Sequence, residues 1–255
     1  MEILAVAFWF VFGTIFGSFI NVVSFRYGTG RTMSGRSRCF SCGIALKAQD
    51  LIPIASYFLL KRRCRFCKTL ISSQYPAVEL IAGILSALVY VTAGQDTFPF
   101  VPSFLFWNTL LFILIYDIRH KIILDRASLL ASLFALASAF GTGGFSYETL
   151  FSGPILATPL FALSLLSRGR YMGLGDGKLM LALGWFFGLS GGFALLLFAF
   201  WMGAIVGGVL LMVSLERGRP RFTMKSEIPF APYLILGAAL VYFTDADLLL
   251  TSLLF

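Results

Sequence analysis

The chain contains 255 residues, of which 58% are apolar and only 13% are charged, and its formal net charge is +8. Soluble domains carry about 25% charged residues, so this composition excludes an ordinary soluble protein and indicates a polytopic membrane protein. Basic chains can also bind nucleic acid, but here the basic residues lie only in a few segments between apolar runs. We therefore expect no nucleic-acid partner and attribute the positive charge to membrane topology.

Apolar runs approaching the roughly 20 residues that cross ~30 Å of hydrocarbon recur along the whole chain. They predict eight transmembrane helices, at 3–24, 77–95, 99–117, 122–141, 149–167, 178–193, 195–215 and 230–250. A tight turn near residue 194 would separate the sixth helix from the seventh. No cleavable signal peptide is expected, because Met1 and Glu2 bring no basic leading segment and the first run is long enough to span.

The connections between these runs differ in charge from one side to the other. All twenty Lys and Arg residues lie within or beside connections that would share one face, at 25–76, 118–126, 168–178 and 216–229. The only charged residues in the opposite connections are Asp96 and Glu148, and Asp245 and Asp247 lie near the C-terminal end. The positive-inside rule then places the basic face in the cytoplasm and both termini outside.

The connection 25–76 is the only long polar segment, and it holds all four cysteines. They form two C-x-x-C pairs, Cys39 with Cys42 and Cys64 with Cys67. This spacing is typical of a tetrahedral four-thiolate Zn²⁺ site, and disulfides are disfavoured in a reducing cytoplasm. Because four thiolates leave no open position for a water, we expect a structural zinc ion and no catalytic metal.

Acidic residues near membrane depth are the strongest functional signal in the sequence. An acidic side chain costs roughly 2.5–3.5 kcal/mol at the centre of a membrane helix, yet Asp117, Asp125 and Asp176 lie near the cytoplasmic ends of predicted helices and Glu79 begins the second. Each could also have a purely structural role. For example, Asp176 could be a helix N-cap, and Asp125 could be an interfacial residue paired with Arg126.

Two of the aspartates have sequence contexts that favour a functional interpretation. Asp117 ends an apolar run, where the helix dipole favours a cation instead. Asp176 lies in Gly173-Leu-Gly175-Asp-Gly177-Lys178, where glycines permit unusual backbone and close approach. Two carboxylates in one small site share a single proton near neutral pH. The sequence therefore predicts an aspartyl-protease pair, in which one carboxylate activates water and the other donates to a peptide carbonyl.

Several motifs occur in a characteristic order along the chain: Gly17-Ser18-Phe19-Ile20-Asn21, the paired C-x-x-C motifs, Tyr75-Pro76-x-Val78-Glu79, Asp117, Gly173–Lys178 and Pro229–Pro232. In this order they resemble the type IV prepilin peptidases, also called leader peptidase/N-methyltransferases, which belong to the GxGD class of intramembrane aspartyl proteases. The resemblance departs at Leu124, where the family has a proline, so Asp125 stays a rival to Asp117 as the partner of Asp176.

The resemblance implies a membrane endopeptidase that cuts the basic leader from type IV prepilins or type II secretion pseudopilins at the cytoplasmic face of the bacterial inner membrane. The cut follows a glycine, and the new N-terminus, typically phenylalanine, is then methylated with S-adenosylmethionine. Carried over by position, Asp117 and Asp176 are the catalytic pair. The segment of Gly173, Gly175, Gly177 and Lys178 supports the active site, and Glu79 is related to substrate or methylation.

The expected fold class is an all-α polytopic membrane protein with about eight transmembrane helices and a small zinc-binding cytoplasmic insertion after the first. The chain would divide into a first transmembrane helix at 1–24, the four-cysteine insertion at 25–76 and a seven-helix protease domain at 77–255. Expected partners are a prepilin or pseudopilin and membrane lipid. An ion- or proton-coupled transporter and a non-catalytic scaffold of a pilus or secretion machine stay open as alternatives.

Overall fold

The computed structural model describes residues 2–29, 32–93, 97–143, 146–170, 172–216 and 229–244. The chain forms two compact units, Met1–Asp96 and Thr97–Phe255. Across the described ranges the regular structure is entirely helical apart from two isolated β-bridges, which confirms the predicted all-α class. Some charged residues used in the topology prediction lie outside these ranges: Arg31, Asp96, Asp245, Asp247 and those of the connection 216–229 beyond its two ends.

The first unit is built on two long helices, α1 (Glu2–Arg26) and α3 (Gln74–Ala93), which pack against each other. Glycines in α1 allow this close contact. A Cβ atom on Gly17 would lie 2.7 Å from the Cα of Glu79, and one on Gly13 would lie 2.6 Å from the carbonyl oxygen of Ala82. Small residues at such crossings let membrane helices approach closely.

The segment between α1 and α3 contains the cysteine pairs, a 3-10 turn at Ala48–Leu51 and the short helix α2 (Ala55–Leu59). Each cysteine pair lies in a tight turn of the same form. In the first turn, the Cys39 N–H donates to the Ile44 carbonyl and the Gly43 N–H donates to the Cys39 carbonyl. In the second turn, the Cys64 N–H donates to the Thr69 carbonyl and the Lys68 N–H donates to the Cys64 carbonyl. The two turns are therefore repeats of one backbone structure.

The second unit contains α4 (Thr97–His120), α5 (Asp125–Gly143), α6 (Tyr147–Leu166), α7 (Leu174–Glu216) and α8 (Ala231–Thr244). Helix α7 packs against α5, α6 and α8, and α4 packs against α5 and α8. An aromatic cluster fills the centre of this unit, with the rings of Phe106 and Phe186 stacked at 4.1 Å and Trp107 fully buried beside them.

Five described helices are long and apolar enough to cross a membrane: Glu2–Arg26, Gln74–Ala93, Phe100–His120, Tyr147–Leu166 and Leu174–Val213. The chain is thus a multi-pass membrane protein. Each of the eight predicted segments overlaps a described helix, but the sixth and seventh share α7. The ends of the segments 77–95 and 230–250 lie outside the described residues. The turn predicted near residue 194 is wrong, because the helix continues there and is interrupted instead at Gly188, whose φ of 70° and ψ of −172° are non-helical.

Candidate active site

The second unit brings two buried aspartates together at the ends of two helices. Asp117 lies in the last turn of α4 and Asp176 in the first turn of α7. Both are buried, with 3% and 7% of their surface exposed, and their carboxylates are close enough to interact electrostatically. This is the juxtaposition that the sequence predicted for these two residues.

Asp117 has a carboxylate oxygen with no protein partner. Its Oδ2 atom is buried and accepts no hydrogen bond from the residues that the structure describes. An unpaired buried polar atom costs free energy, so such an atom in a native structure calls for an explanation. A carboxylate positioned to bind a water molecule or a peptide group supplies that explanation.

The glycines around Asp176 make room for side chains of neighbouring segments. A Cβ atom on Gly175 would lie 2.8 Å from the Cβ of Ile123, and one on Gly177 would lie 2.7 Å from ring carbons of Phe161. Both glycines are helical, because α7 already begins at Leu174. The irregular, positive-φ backbone that the glycine content suggested is therefore not observed here, and these glycines serve close packing instead.

Asp125 occupies a different environment from Asp117. It is the first residue of α5, its side chain is 74% exposed, and its Oδ1 lies 2.6 Å from the Nζ of Lys178. Lys178 follows Asp176 by two residues on α7. The structure thus places Asp125 in an exposed ion pair with Lys178 and places Asp117 in the buried site with Asp176.

Glu79 lies in the first unit and is buried on α3, with 7% of its surface exposed. Its Oε2 accepts a hydrogen bond of 2.7 Å from the backbone N–H of Ile54. Ile54 has the unusual φ of 60° and ψ of −55°, and the Ala55 N–H donates to the Pro53 carbonyl at 2.5 Å. This three-residue γ-turn is a strained conformation for isoleucine.

Sequence reasoning identified Glu79 but missed the strained residue that binds it. Ile54 has no side-chain chemistry to mark it, and a positive φ at a β-branched residue cannot be read from a sequence. The only available signal was Pro53 just before it, which indicates a turn without giving its type.

The four cysteines form a compact group of potential metal ligands. All four Sγ atoms lie within 4.8 Å of one another, and those of Cys39 and Cys67 are 3.7 Å apart. A tetrahedral site with Zn–S bonds of about 2.3 Å separates its sulfurs by about 3.8 Å. The cysteines are free rather than disulfide-bonded, so the donor set and its spacing suit a four-thiolate metal centre.

An ion pair between the buried carboxylate of Asp50 and the exposed side chain of Arg65 supports the cysteine-bearing segment. The Arg65 guanidinium donates from Nε and Nη2 to Asp50 Oδ1 at 2.9 and 2.7 Å, and the Lys47 N–H donates to Oδ2. Burial raises the pKa of Asp50, but these hydrogen bonds outweigh burial and hold the pKa of Asp50 below its ordinary value. Asp50 is therefore ionised at neutral pH and links the 3-10 turn to the second cysteine pair.

Comparison with known proteins identifies relatives along nearly the whole chain. Residues 11–93 match the model of the bacterial peptidase A24 N-terminal domain, and residues 104–208 match that of the type IV leader peptidase family. A prepilin leader peptidase/N-methyltransferase of Burkholderia pseudomallei is 31% identical over 94% of this chain and 85% of its own length. Proteins with the same name from Aeromonas salmonicida and Bacillus subtilis are 30% and 27% identical, over 89% and 91% of this chain and 87% and 92% of their own lengths. No solved structure matches. The resemblance seen in the motifs is confirmed, and the chain belongs to the type IV leader peptidase family.

Proposed function

We propose that this protein is a membrane aspartyl endopeptidase that removes the leader from type IV prepilins or pseudopilins and then N-methylates the new N-terminus. The observation that carries the peptidase proposal is the pair of buried, electrostatically interacting carboxylates, Asp117 and Asp176. The relatives in Aeromonas salmonicida and Burkholderia pseudomallei are prepilin leader peptidase/N-methyltransferases, which supports both halves of the activity.

The proposed mechanism uses the two aspartates as one unit. The ionised carboxylate takes a proton from a water molecule as the water oxygen attacks the carbonyl carbon of the leader's last residue. The protonated carboxylate donates its proton to the carbonyl oxygen, which gives a neutral tetrahedral intermediate. The first carboxyl then gives its proton to the amine as the C–N bond breaks, and the second recovers the proton of the hydroxyl.

Asp125 is the less suitable partner for Asp176 because it is exposed and paired with Lys178. A pair that shares one proton needs two buried carboxylates side by side, and Asp117 meets this condition whereas Asp125 does not. We assign Lys178 a supporting role, in which it joins the first turn of α7 to the start of α5 beside Asp176.

A transporter or an inert scaffold explains less of the structure. The aspartates lie at the ends of α4 and α7 rather than near the middle of a spanning helix, whereas transporter sites lie near the bilayer midplane. A scaffold would give no reason for two interacting buried carboxylates.

We infer that the cysteine group binds one structural zinc ion through Cys39, Cys42, Cys64 and Cys67. Zinc bound there would fix the two tight turns to each other and hold a polar segment of about fifty residues that has little core of its own. Four thiolates exclude a catalytic water from the metal.

We also infer a location in the bacterial inner membrane, with both termini outside and the cysteine segment and the aspartates on the cytoplasmic side. The distribution of Lys and Arg supports this orientation. Helix α2 exposes Phe58 and Leu59 by 67% and 76%, and Lys61, Arg62 and Arg63 follow it. Apolar side chains beside basic ones suit contact with an anionic lipid surface.

The proposed function is tested by measuring leader cleavage in membranes, with the size shift of a co-expressed prepilin as the readout. Asp117→Asn and Asp176→Asn should each lower the cleavage rate by at least ~10²–10⁴-fold, the usual contribution of general acid–base groups. Asp125→Asn is the matched control and should retain cleavage within tenfold. Loss of cleavage in Asp125→Asn and Asp176→Asn but not in Asp117→Asn would move the pair to Asp125 and Asp176, and retention in all three variants would contradict the aspartyl mechanism.

A further inference from the structure

A cavity of about 310 Å³ lies where α2 leads into the second cysteine turn, and we call it the basic cavity. Four of the residues that line it are cationic: Lys61, Arg63, Arg65 and Lys68. The other described residues of its wall are Leu59, Leu60 and Cys64, so no acidic side chain lies among them. This volume is at the lower end of the range for small-molecule sites, and a concave surface with charges of one sign concentrates ions of the other.

Most of this positive charge has no partner within the protein. Arg65 forms an ion pair with Asp50, whereas no ion pair of Lys61, Arg63 or Lys68 occurs among the described residues. The Arg63 guanidinium donates one hydrogen bond, of 3.4 Å, to the Lys68 carbonyl. Cations held around one cavity repel one another, and an anion placed between them would relieve that repulsion.

The first cysteine turn shows which of these cations the turn itself uses. In each turn an arginine donates from Nη1 to a backbone carbonyl at 3.4 Å, Arg38 to Gly43 and Arg63 to Lys68. These equivalent acceptor residues both have a positive φ, of 71° at Gly43 and 59° at Lys68. Glycine adopts this conformation without a steric penalty, whereas a residue with a Cβ atom is disfavoured there. The turn therefore forms with glycine, and the lysine is an addition that backbone geometry does not explain.

Lys61 shows the same feature at the end of α2. The Arg62 N–H donates to the Tyr57 carbonyl and the Lys61 N–H donates to the Phe58 carbonyl, which are the two hydrogen bonds of a Schellman C-cap. Lys61 has a φ of 49° and takes the left-handed position that is usually glycine in this motif. Both lysines of the basic cavity thus stand where the backbone favours glycine, so a role of their ammonium groups accounts for them better.

Exposed apolar side chains border the basic cavity. Leu59 lines it and is 76% exposed, and the adjacent Phe58 is 67% exposed. Leu70, which forms a β-bridge with Arg63, is 66% exposed. A free phosphate ion would leave this apolar border in water, whereas a lipid would cover it with acyl chains.

We propose that the basic cavity binds the phosphate of an anionic phospholipid headgroup, with the ammonium groups of Lys61 and Lys68 as its main contacts and the acyl chains against the exposed apolar border. Lysine is a common phosphate binder that acts as a point charge. The proposal deepens the lipid contact inferred for α2, because it specifies a saturable site selective for one kind of headgroup instead of general attraction to a charged surface. It does not depend on the peptidase chemistry of Asp117 and Asp176.

The experiment uses the purified full-length protein in detergent with its metal retained. Phosphatidylglycerol or phosphatidylcholine is added in increasing amounts, and the lipids bound per chain are counted by native mass spectrometry. We expect one phosphatidylglycerol to bind saturably and more tightly than phosphatidylcholine. Lys61→Gly and Lys68→Gly should each weaken this binding roughly fivefold, the usual effect of one cation at an anionic lipid surface.

The glycine variants separate a binding role from a structural one. Because glycine suits both backbone positions, the unfolding temperature of each variant should be unchanged or higher while lipid binding falls. Arg38→Gln is the matched control, since it removes a cation at the equivalent of Arg63 in the first turn, and it should leave binding unchanged. Equal loss of binding in Arg38→Gln, or binding that never saturates, would show general surface attraction and overturn the site. Loss of zinc from the lysine variants would assign these cations to the metal centre and also overturn it.

Competition distinguishes the two sources of a phosphate group. Inorganic phosphate and glycerol phosphate should displace the lipid only at concentrations far above that of the lipid itself. Displacement at similar concentrations would make the cavity a site for soluble phosphate compounds and overturn the lipid assignment. Prepilin cleavage is measured on the same preparations: Asp117→Asn should lose cleavage and keep the bound lipid. A protein that cleaves prepilin but binds no lipid saturably would overturn the lipid site alone and leave the proposed function standing.

Discussion

Lys178 Nζ and Asp125 Oδ1 lie 2.6 Å apart and join the first turn of α7 to the first residue of α5. Both side chains are substantially exposed, so the pair contributes little to global stability, at most about 1 kcal/mol. Its importance is positional, because Lys178 lies two residues beyond Asp176 on the same helix.

We predict that Lys178→Gln and Asp125→Asn each reduce leader cleavage less than tenfold and that the double variant is no worse than either single variant. Once the ion pair is broken, the second substitution has nothing further to remove. The measurement is a double-mutant cycle on the cleavage rate. Strictly additive losses would show that the two residues act independently, and a loss as large as that of Asp176→Asn would assign one of them to the chemistry.

Alanine at Gly175 or Gly177 should destabilise the protein by about 1–3 kcal/mol and lower cleavage at least tenfold. The added Cβ would lie 2.8 Å from Ile123 or 2.7 Å from Phe161, and overpacking of this kind displaces the helix. Displacement by even about 1 Å at a catalytic group can cost 10²-fold in rate. The measurements are thermal unfolding in detergent and prepilin cleavage.

Gly173→Ala is the matched stability control for these variants, since its Cβ would lie 3.8 Å or more from any neighbouring atom. It should leave the unfolding temperature unchanged. Ile123→Gly should partly rescue Gly175→Ala, because it removes the Cβ, Cδ1 and Cγ1 atoms that would lie 2.8, 3.2 and 3.3 Å from the added Cβ. If all three alanine variants were equally stable, close packing would not be the reason for these glycines.

Metal removal provides the next prediction. The purified protein should contain one zinc ion per chain. Cys39→Ser should lose it together with the protection of residues 32–72 against proteolysis, because in the proposed site the metal joins the two tight turns. Zinc is measured by mass spectrometry and protection by limited digestion. Ser41→Ala, within the same turn, is the control, and an intact segment in metal-free protein would show that the fold does not depend on zinc.

The sequence predicted the elements of this fold well because apolar runs and basic connections are dictated by the bilayer. The turn predicted near residue 194 is the exception. Gly191 and Gly192 favour an interruption of the helix there, but the helix is interrupted at Gly188. All three glycines permit a turn, and which of them adopts it depends on the packing of α7 against α5, α6 and α8.

The candidate site was partly predictable for a similar reason. Asp117 and Asp176 stand out as acids in apolar helices, so their residue type alone marks them. The packing of Gly175 against Ile123, and the contact of Glu79 with Ile54, join residues that are distant in sequence. Neither contact leaves a periodic signal, so the tertiary structure was needed to find them.

The last prediction concerns the exposed surface of α2. Phe58 is 67% exposed and is followed by the basic residues 61–63, whereas its neighbour Tyr57 is buried. A photoreactive benzoylphenylalanine at position 58 should cross-link to lipid in nanodiscs, more strongly when anionic lipid is present, because apolar and basic groups together favour that surface. The same probe at position 57 is the control and should give little lipid adduct. Equal labelling at both positions, or labelling that does not depend on anionic lipid, would contradict a bilayer contact specific to this face of α2.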